Sequence, residues 1–307
     1  MKFPHILTGS LLALTLSHAG LEAIAVPSTP VLPSSVKAAP APLAPKDEAF
    51  FQSLIQQAQQ QGINTKSVGE VMEFFSMKLL DRPYVAGMLD QSEQENLVLS
   101  LTQFDCVLFV ESVMALAHSL RVNASSPVAT SQPFANRVED LRYRDGVRTN
   151  YCDRLHYFSE WLDNNQKKQY LANITPQLQG IPLNTKLQFM SRHRSSYRQL
   201  KNPELYNCIV EREDQLASLP MHYIPTANIS AIESQLQPGD IIAVATSVPY
   251  LDVTHTGLIY RGTKGQKGLI HASPGGSVRL ASDLTRYVSR VDSAIGIMVA
   301  RPTENAQ

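Results

Sequence analysis

An α+β domain is what the sequence predicts, because amphipathic helical segments fill its first half, short apolar strand-like runs fill its last third, and the two do not alternate. Residues 49–61 carry Phe50, Phe51, Leu54, Ile55 and Ala58, and residues 67–80 carry Val68, Val71, Met72, Phe75 and Leu79, both at helical spacing. Residues 104–120 are apolar nearly all round and predict a buried helix with Asp105 as its N-cap. After the turn-like Arg144-Asp145-Gly146, residues 154–164 and 166–172 predict further helix, and the chain to about residue 225 is rich in loops. Beyond Pro238-Gly239-Asp240, residues 241–245, 254–260, 268–272, 277–280 and 294–301 predict a meander of antiparallel strands.

Ahead of this domain, Lys2 precedes an apolar stretch over residues 6–16, followed by small residues at Ser17, Ala19, Ala23 and Ala25. That order predicts a secretory signal peptide, residues 1–25, with cleavage after Ala25 or alternatively Ala19. The apolar run is too short to span a bilayer, which takes roughly 20 residues. Residues 26–46 are rich in Pro and Ala and predict an extended tether, which leaves residues 47–307 as the folded domain. The expected location is periplasmic or secreted, with no integral membrane segment in the mature chain. Basic and acidic residues balance at 27 each, so a nucleic-acid partner gains no electrostatic support. Three cysteines in an exported chain leave at least one unpaired within it. Cys106 is the candidate, while Cys152 and Cys208 fit either a disulfide or two separate buried thiols.

The chemistry gathers around Cys106. In the first turn of a helix, unpaired backbone N–H groups and the positive end of the dipole favour a thiolate and an oxyanion. His255 lies on an expected strand and shares a face with Gly257 and Ile259, and His271 lies on the next strand. A hairpin centred near Thr263 would set the two histidines directly opposite, with Cβ atoms roughly 4.5 to 5.5 Å apart. One imidazole would then fix the tautomer of the other. Thiol, base and orienting group are what nucleophilic catalysis requires, although each residue alone reads more readily as an inert core cysteine or a partly buried sheet histidine. The spacing lacks the short paired ligands of zinc sites, and no cofactor or metal is implied.

Together, Asp105-Cys106 at a helix start, His255-x-Gly257 on a strand and His271-Ala272 on the following strand resemble the Cys-His-His order of the NlpC-type papain-like cell-wall hydrolases. The resemblance is nearer to the N-acetylmuramoyl-L-alanine amidase-like branch. It is carried by Pro83-Tyr84-Val85-Ala86-Gly87, Phe104-Asp105-Cys106-Val107, Arg154-Leu155-His156-Tyr157-Phe158-Ser159, Phe189-Met190-Ser191, Gly239-Asp240-Ile241-Ile242, Leu251-Asp252-Val253 and Leu269-Ile270-His271-Ala272-Ser273. It implies a papain-like core and a cysteine amidase that hydrolyses the N-acetylmuramoyl-L-alanine bond of peptidoglycan or muropeptides through a thioester. A D-glutamyl-diamino acid endopeptidase and a non-catalytic wall-binding module are the alternatives. Cys106, His255 and His271 take the catalytic roles; Tyr84, Asp105, Arg154, His156 and Tyr157 are expected on the substrate side, with Trp161 as a further pocket residue. Arg154 fits a substrate carboxylate or a structural ion pair equally well, and Tyr84 an ordinary turn. Cys152 and Thr256 depart from the family pattern without touching a catalytic role.

Overall fold

In the computed structural model, residues 40, 42–126, 128–263 and 265–304 are described, so the expected signal peptide and most of the expected tether lie outside the described residues. The tether ends earlier than its composition suggests. Leu43 is buried in the core, and Pro45 opens helix α1 (Pro45–Gln60), where proline is tolerated because the first turn has no partner for its N–H. Helix α2 (Val68–Lys78) starts at a capping box between Ser67 and Glu70. Helix α3 (Cys106–Val122) is the buried helix expected from its apolar sequence. Helix α4 (Gln132–Arg142) packs beside it, and its mixed composition gave no such signal.

Burial of α3 leaves one charge to be matched. Glu111 and Arg142 are 0% and 1% exposed. Arg142 Nε donates to Glu111 Oε2 at 2.8 Å, Trp161 Nε1–H donates to Glu111 Oε1 at 3.2 Å, and Arg142 Nη1 donates to the Val98 carbonyl at 2.6 Å. A buried ion pair adds little net stability, yet removing one partner costs about 3–5 kcal/mol, because the other charge stays buried. The pair therefore fixes α4 and the Trp161 segment against the cysteine helix.

The expected helix over residues 154–172 is shorter. Residues 154–157 are extended, helix α5 is Phe158–Lys167, and Gln169, at φ 62°, reverses the chain into strand β1 (Leu171–Asn173). Strand β2 (Ile181–Pro182), helix α6 (Phe189–Arg192) and helix α7 (Pro203–Gln215) make up the loop-rich stretch. Strand β3 (His222–Pro225) and helix α8 (Ile229–Ile232) follow. The strands β4 (Ile241–Thr246), β5 (Val253–Arg261), β6 (Lys267–Ala272) and β7 (Val278–Ala281) then form the antiparallel meander.

Helix α9 (Leu284–Val288) leads to β8 (Ala294–Pro302). The last strand departs from a simple meander, since it returns to pair with β4, β3 and β1 instead of β7. The connection over residues 282–293 is long enough to carry the chain back across the sheet. Both faces of the sheet are covered: Ile241, Leu258 and Ile270 join the core of α1 to α4, while Ile242, Val244, Ile259 and Leu269 join Leu284 and Val288 of α9. Two-sided burial is why β4 is a continuous apolar run rather than an alternating one.

Candidate active site

Asp105 caps α3: the Leu108 N–H donates to Asp105 Oδ1 at 2.8 Å, leaving Cys106 as the first helical residue. Cys106 is partly exposed at the mouth of a cavity of about 120 Å³, lined also by Val110, Leu155, His156, Phe158, Trp161, Leu251, Asp252, His255 and Thr256. Its dense surroundings push the thiol up to about 12, and the Asp105 carboxylate adds to that. Backbone N–H groups of Thr256, Cys106 and Val107 pull the other way. The thiol is thus neutral at rest, with three N–H groups around the sulfur.

His255 and His271 meet, though not as direct opposites. Leu258 pairs with Ile270 and Arg261 with Lys267, a register two residues away from the one that would oppose the histidines. A two-residue displacement preserves the face of every side chain, so the pair becomes diagonal and stays on one side of the sheet. Continuing the register sets Gly257 beside His271. A Cβ on Gly257 would lie 2.8 Å from the Ile270 carbonyl oxygen and 2.9 Å from His271 Cβ, so the glycine leaves the space across which His271 reaches. His255 Nε2 and His271 Nδ1 are 2.8 Å apart, with ring centroids at 4.8 Å. Burial holds His255 down to about 4, and burial together with its neighbour holds His271 down to about 3. Both imidazoles are neutral at rest, and one donates the shared hydrogen bond while the other accepts.

The model of the N-acetylmuramoyl-L-alanine amidase-like family matches residues 74–297. The chain belongs to that family. Among solved structures, an N-acetylmuramoyl-L-alanine amidase from Bacteroides uniformis ATCC 8492 is 31% identical, with a TM-score of 0.71 over 77% of this chain and 99% of that one. A Bacteroides fragilis protein provisionally named a xylanase is 32% identical, with a TM-score of 0.65 over 74% of this chain and 99% of that one. A protein from Legionella pneumophila str. Philadelphia 1, at 20% identity and a TM-score of 0.61, covers 84% of this chain and 94% of its own and shares the fold. No curated protein matches the chain.

The remaining residues expected on the substrate side of this amidase-like chain divide into two groups. His156 lines the cavity, its Nε2 2.9 Å from the Tyr151 carbonyl, and burial beside Arg154 lowers it to about 3. Tyr84 is half-buried, and burial, with the nearby Asp105 carboxylate adding to it, raises its hydroxyl. Arg154 and Tyr157 go the other way. Arg154 is 5% exposed, and four of its five guanidinium N–H groups are taken, donating to both Glu95 oxygens, Asp90 and the Leu89 carbonyl, so it cannot offer a substrate carboxylate a bidentate pair. The ion-pair alternative is the observed one. Tyr157 is 3% exposed and donates to Glu213 at 2.6 Å, while the Met190 N–H donates to its oxygen at 3.1 Å. Trp161 and Phe158 stack at 5.4 Å and form an apolar wall.

Tyr287 on α9 escaped the sequence reading. Its ring lies 4.7 Å from that of His271, and its hydroxyl is 3.5 Å from His271 Nδ1. Position 287 lies in a segment without a motif, so only the fold brings it to the histidines. Asp252 is likewise buried, accepting the Ser159 N–H at 2.7 Å and so tying α5 to the start of β5 beside His255. Cys152 and Cys208 form a disulfide, with Cα atoms 6.2 Å apart, which links the segment before Arg154 to α7. A larger hollow of about 310 Å³, between α5 and β3, is lined by Ser159, Asp163 and His222 and holds no thiol. Among the described residues, no group of three His, Cys, Asp or Glu is placed to hold a metal ion, and no helix is long and apolar enough to cross a membrane.

Proposed function

We propose that this protein is a cysteine amidase of papain-like type that hydrolyses the bond between N-acetylmuramic acid and L-alanine in peptidoglycan or its fragments. The observation that carries the reading is the 2.8 Å contact between His255 Nε2 and His271 Nδ1, on a cavity shared with a cysteine in the first turn of a helix. For His255 to act as base, its Nε2–H donates to His271 Nδ1, which leaves its own Nδ1 lone pair for the thiol. The Cys106 Sγ–H proton passes to His255 as sulfur attacks the lactyl carbonyl. Backbone N–H groups at the start of α3 hold the resulting oxyanion. His255 then gives the proton to the departing L-alanine nitrogen, and a thioester to the sugar acid remains. Water attacks the thioester with His255 as base, and the proton returns to sulfur.

Burial raises the thiol and lowers the imidazole, so both are neutral before attack, and the proposed step moves the proton to His255 as the sulfur attacks. The His271 ring stabilises the imidazolium during that interval. Membership of the amidase-like family and the similarity to the Bacteroides uniformis amidase support the choice of bond. Export to an oxidising compartment is part of the proposal, supported by the N-terminal sequence and by the Cys152–Cys208 disulfide.

Iodoacetamide and a chelator test the chemistry. Alkylation of Cys106 is expected to abolish hydrolysis of a muropeptide, and EDTA to leave it unchanged. Retention of activity after complete alkylation of Cys106 refutes the thiol mechanism.

A further inference from the structure

Between Asp163 and Glu204 the sequence contains no acidic residue, so every formal charge in that stretch is positive although the whole chain is neutral. Its last part folds as α6 followed by two short 3-10 turns, Arg194–Ser196 and Arg198–Lys201. Arg192, Arg194, Arg198 and Lys201 are exposed there, and no carboxylate of the described residues lies within ion-pair distance of them. The arginines are nonetheless held in position by neutral groups. Arg192 lies over the Tyr250 ring at 3.9 Å and donates to Gln188 Oε1 at 3.2 Å. Arg194 lies over Tyr206 at 4.2 Å and donates to the Leu200 carbonyl at 2.7 Å. Arg198 donates to the Gln91 carbonyl at 3.0 Å. These contacts remove conformational freedom without neutralising charge, and each guanidinium keeps donors for an anion.

The segment is also tied at both of its ends to elements that line the cysteine cavity. The Gln188 and Phe189 N–H groups both donate to the Tyr250 carbonyl at 3.1 Å, and the next residue, Leu251, lines the cavity. At its other end, Arg198 and Gln199 bond the carbonyls of Gln91 and Ser92. That loop grips Arg154, whose neighbours Leu155 and His156 also line the cavity. The Cys152–Cys208 disulfide and the Glu213 carboxylate, which accepts from Tyr157 and from the Ser191 N–H at 3.1 Å, anchor the segment to the cavity wall.

We infer that this acid-free segment binds the carboxylates of the peptide bound at the cysteine cavity, namely the D-glutamyl carboxylate and the acid groups beyond it. The identity of the peptide rests on the amidase reading; the capacity to bind a peptide polycarboxylate does not. Guanidinium and carboxylate match in bidentate geometry, and fixed cations beside a cleft raise the local concentration of an anionic ligand. An exposed pair is individually weak, so each arginine is expected to contribute about two- to five-fold in affinity, and more salt should weaken binding.

The test uses the full-length Cys106→Ala protein and a synthetic L-alanyl-D-glutamyl-diamino acid peptide, with free or amidated carboxylates, followed by calorimetry. The free acid is expected to bind about tenfold more tightly than the amide. Arg192→Gln with Arg198→Gln should remove most of that preference, as should raising the salt. In the enzyme with Cys106 intact, the same double substitution should raise KM for the muropeptide with little change in kcat. Equal binding of acid and amide, or full preference in the double variant, overturns the inference; so does capture of a phosphate-bearing polymer but not of the peptide. Binding of the acid by a protein that cleaves no muropeptide keeps this inference and refutes the hydrolase. Cleavage with an unchanged KM in the double variant does the reverse.

Discussion

The two buried histidines should make acid destabilise this protein. Their neutral forms are favoured by the fold, so the unfolded chain takes up protons first as pH falls. Because the folded-state values are depressed, the associated stability is complete above the ordinary 6.5 and is lost as pH falls towards about 4 for His255 and about 3 for His271. For His255, buried at 5% exposure, a drop from 6.5 to about 4 corresponds to about 3 kcal/mol at 1.4 kcal/mol per pH unit. His271 acts in the same direction, and the two are coupled by their contact, so their contributions do not simply add. Against a domain stability of about 5–15 kcal/mol this is a large fraction. The buried Asp105, Glu111 and Asp252 carboxylates have raised values and act with the opposite sign, gaining stability in acid. The histidine part is therefore read as a difference. Urea unfolding at pH 7, 6, 5 and 4 is compared between the parent protein and a His255→Gln/His271→Gln variant. The parent is expected to lose about 3 kcal/mol or more relative to the variant between pH 7 and 4. Parallel stability curves would show that the histidines are not held neutral by burial, and the resting state deduced for the site would be wrong.

Two substitutions probe the same pair from the side of function and packing. His271→Ala should lower kcat far more than it raises KM, and His271→Asn or Gln should retain more rate, because a hydrogen-bonding group can still orient His255; kinetics matching the parent enzyme in all three would reduce His271 to a sheet residue. Gly257→Ala places a methyl group against the Ile270 carbonyl and His271 Cβ. It should cost about 1–3 kcal/mol in urea unfolding and lower kcat further than an equally destabilising substitution elsewhere, whereas an unperturbed variant would show that the glycine is not what lets His271 approach His255.

The helix-to-strand order of the chain was legible because its hydrophobic periods change after Asp240, and α3 because its first three turns are apolar nearly all round, with Glu111 their only charge. Helix α4 was not, since its burial comes from partners such as α3 and the Arg142–Glu111 pair, which sequence spacing cannot reveal. Parity made the histidine pair readable. A displacement of the hairpin register by two residues moved the partners and kept the face, so the geometric argument survived an error in the loop centre. Arg154 illustrates the opposite case. Whether its guanidinium faces a substrate or Glu95 depends on the chain 59 residues away, and no local pattern carries that. Tyr287 and the basic segment were missed for related reasons: the first belongs to the site only through the fold, and the second is conspicuous by missing acids rather than by a dense run of cations.

The bond and the nucleophile can be tested together. A defined muropeptide with an intact stem is incubated with the purified protein and with Cys106→Ala, and the products are identified by mass. A free peptide beginning with L-alanine, together with the peptide-free sugar, is expected from the parent protein and neither from the variant. A sugar still bearing L-alanyl-D-glutamate, or the same products from Cys106→Ala, would contradict the account.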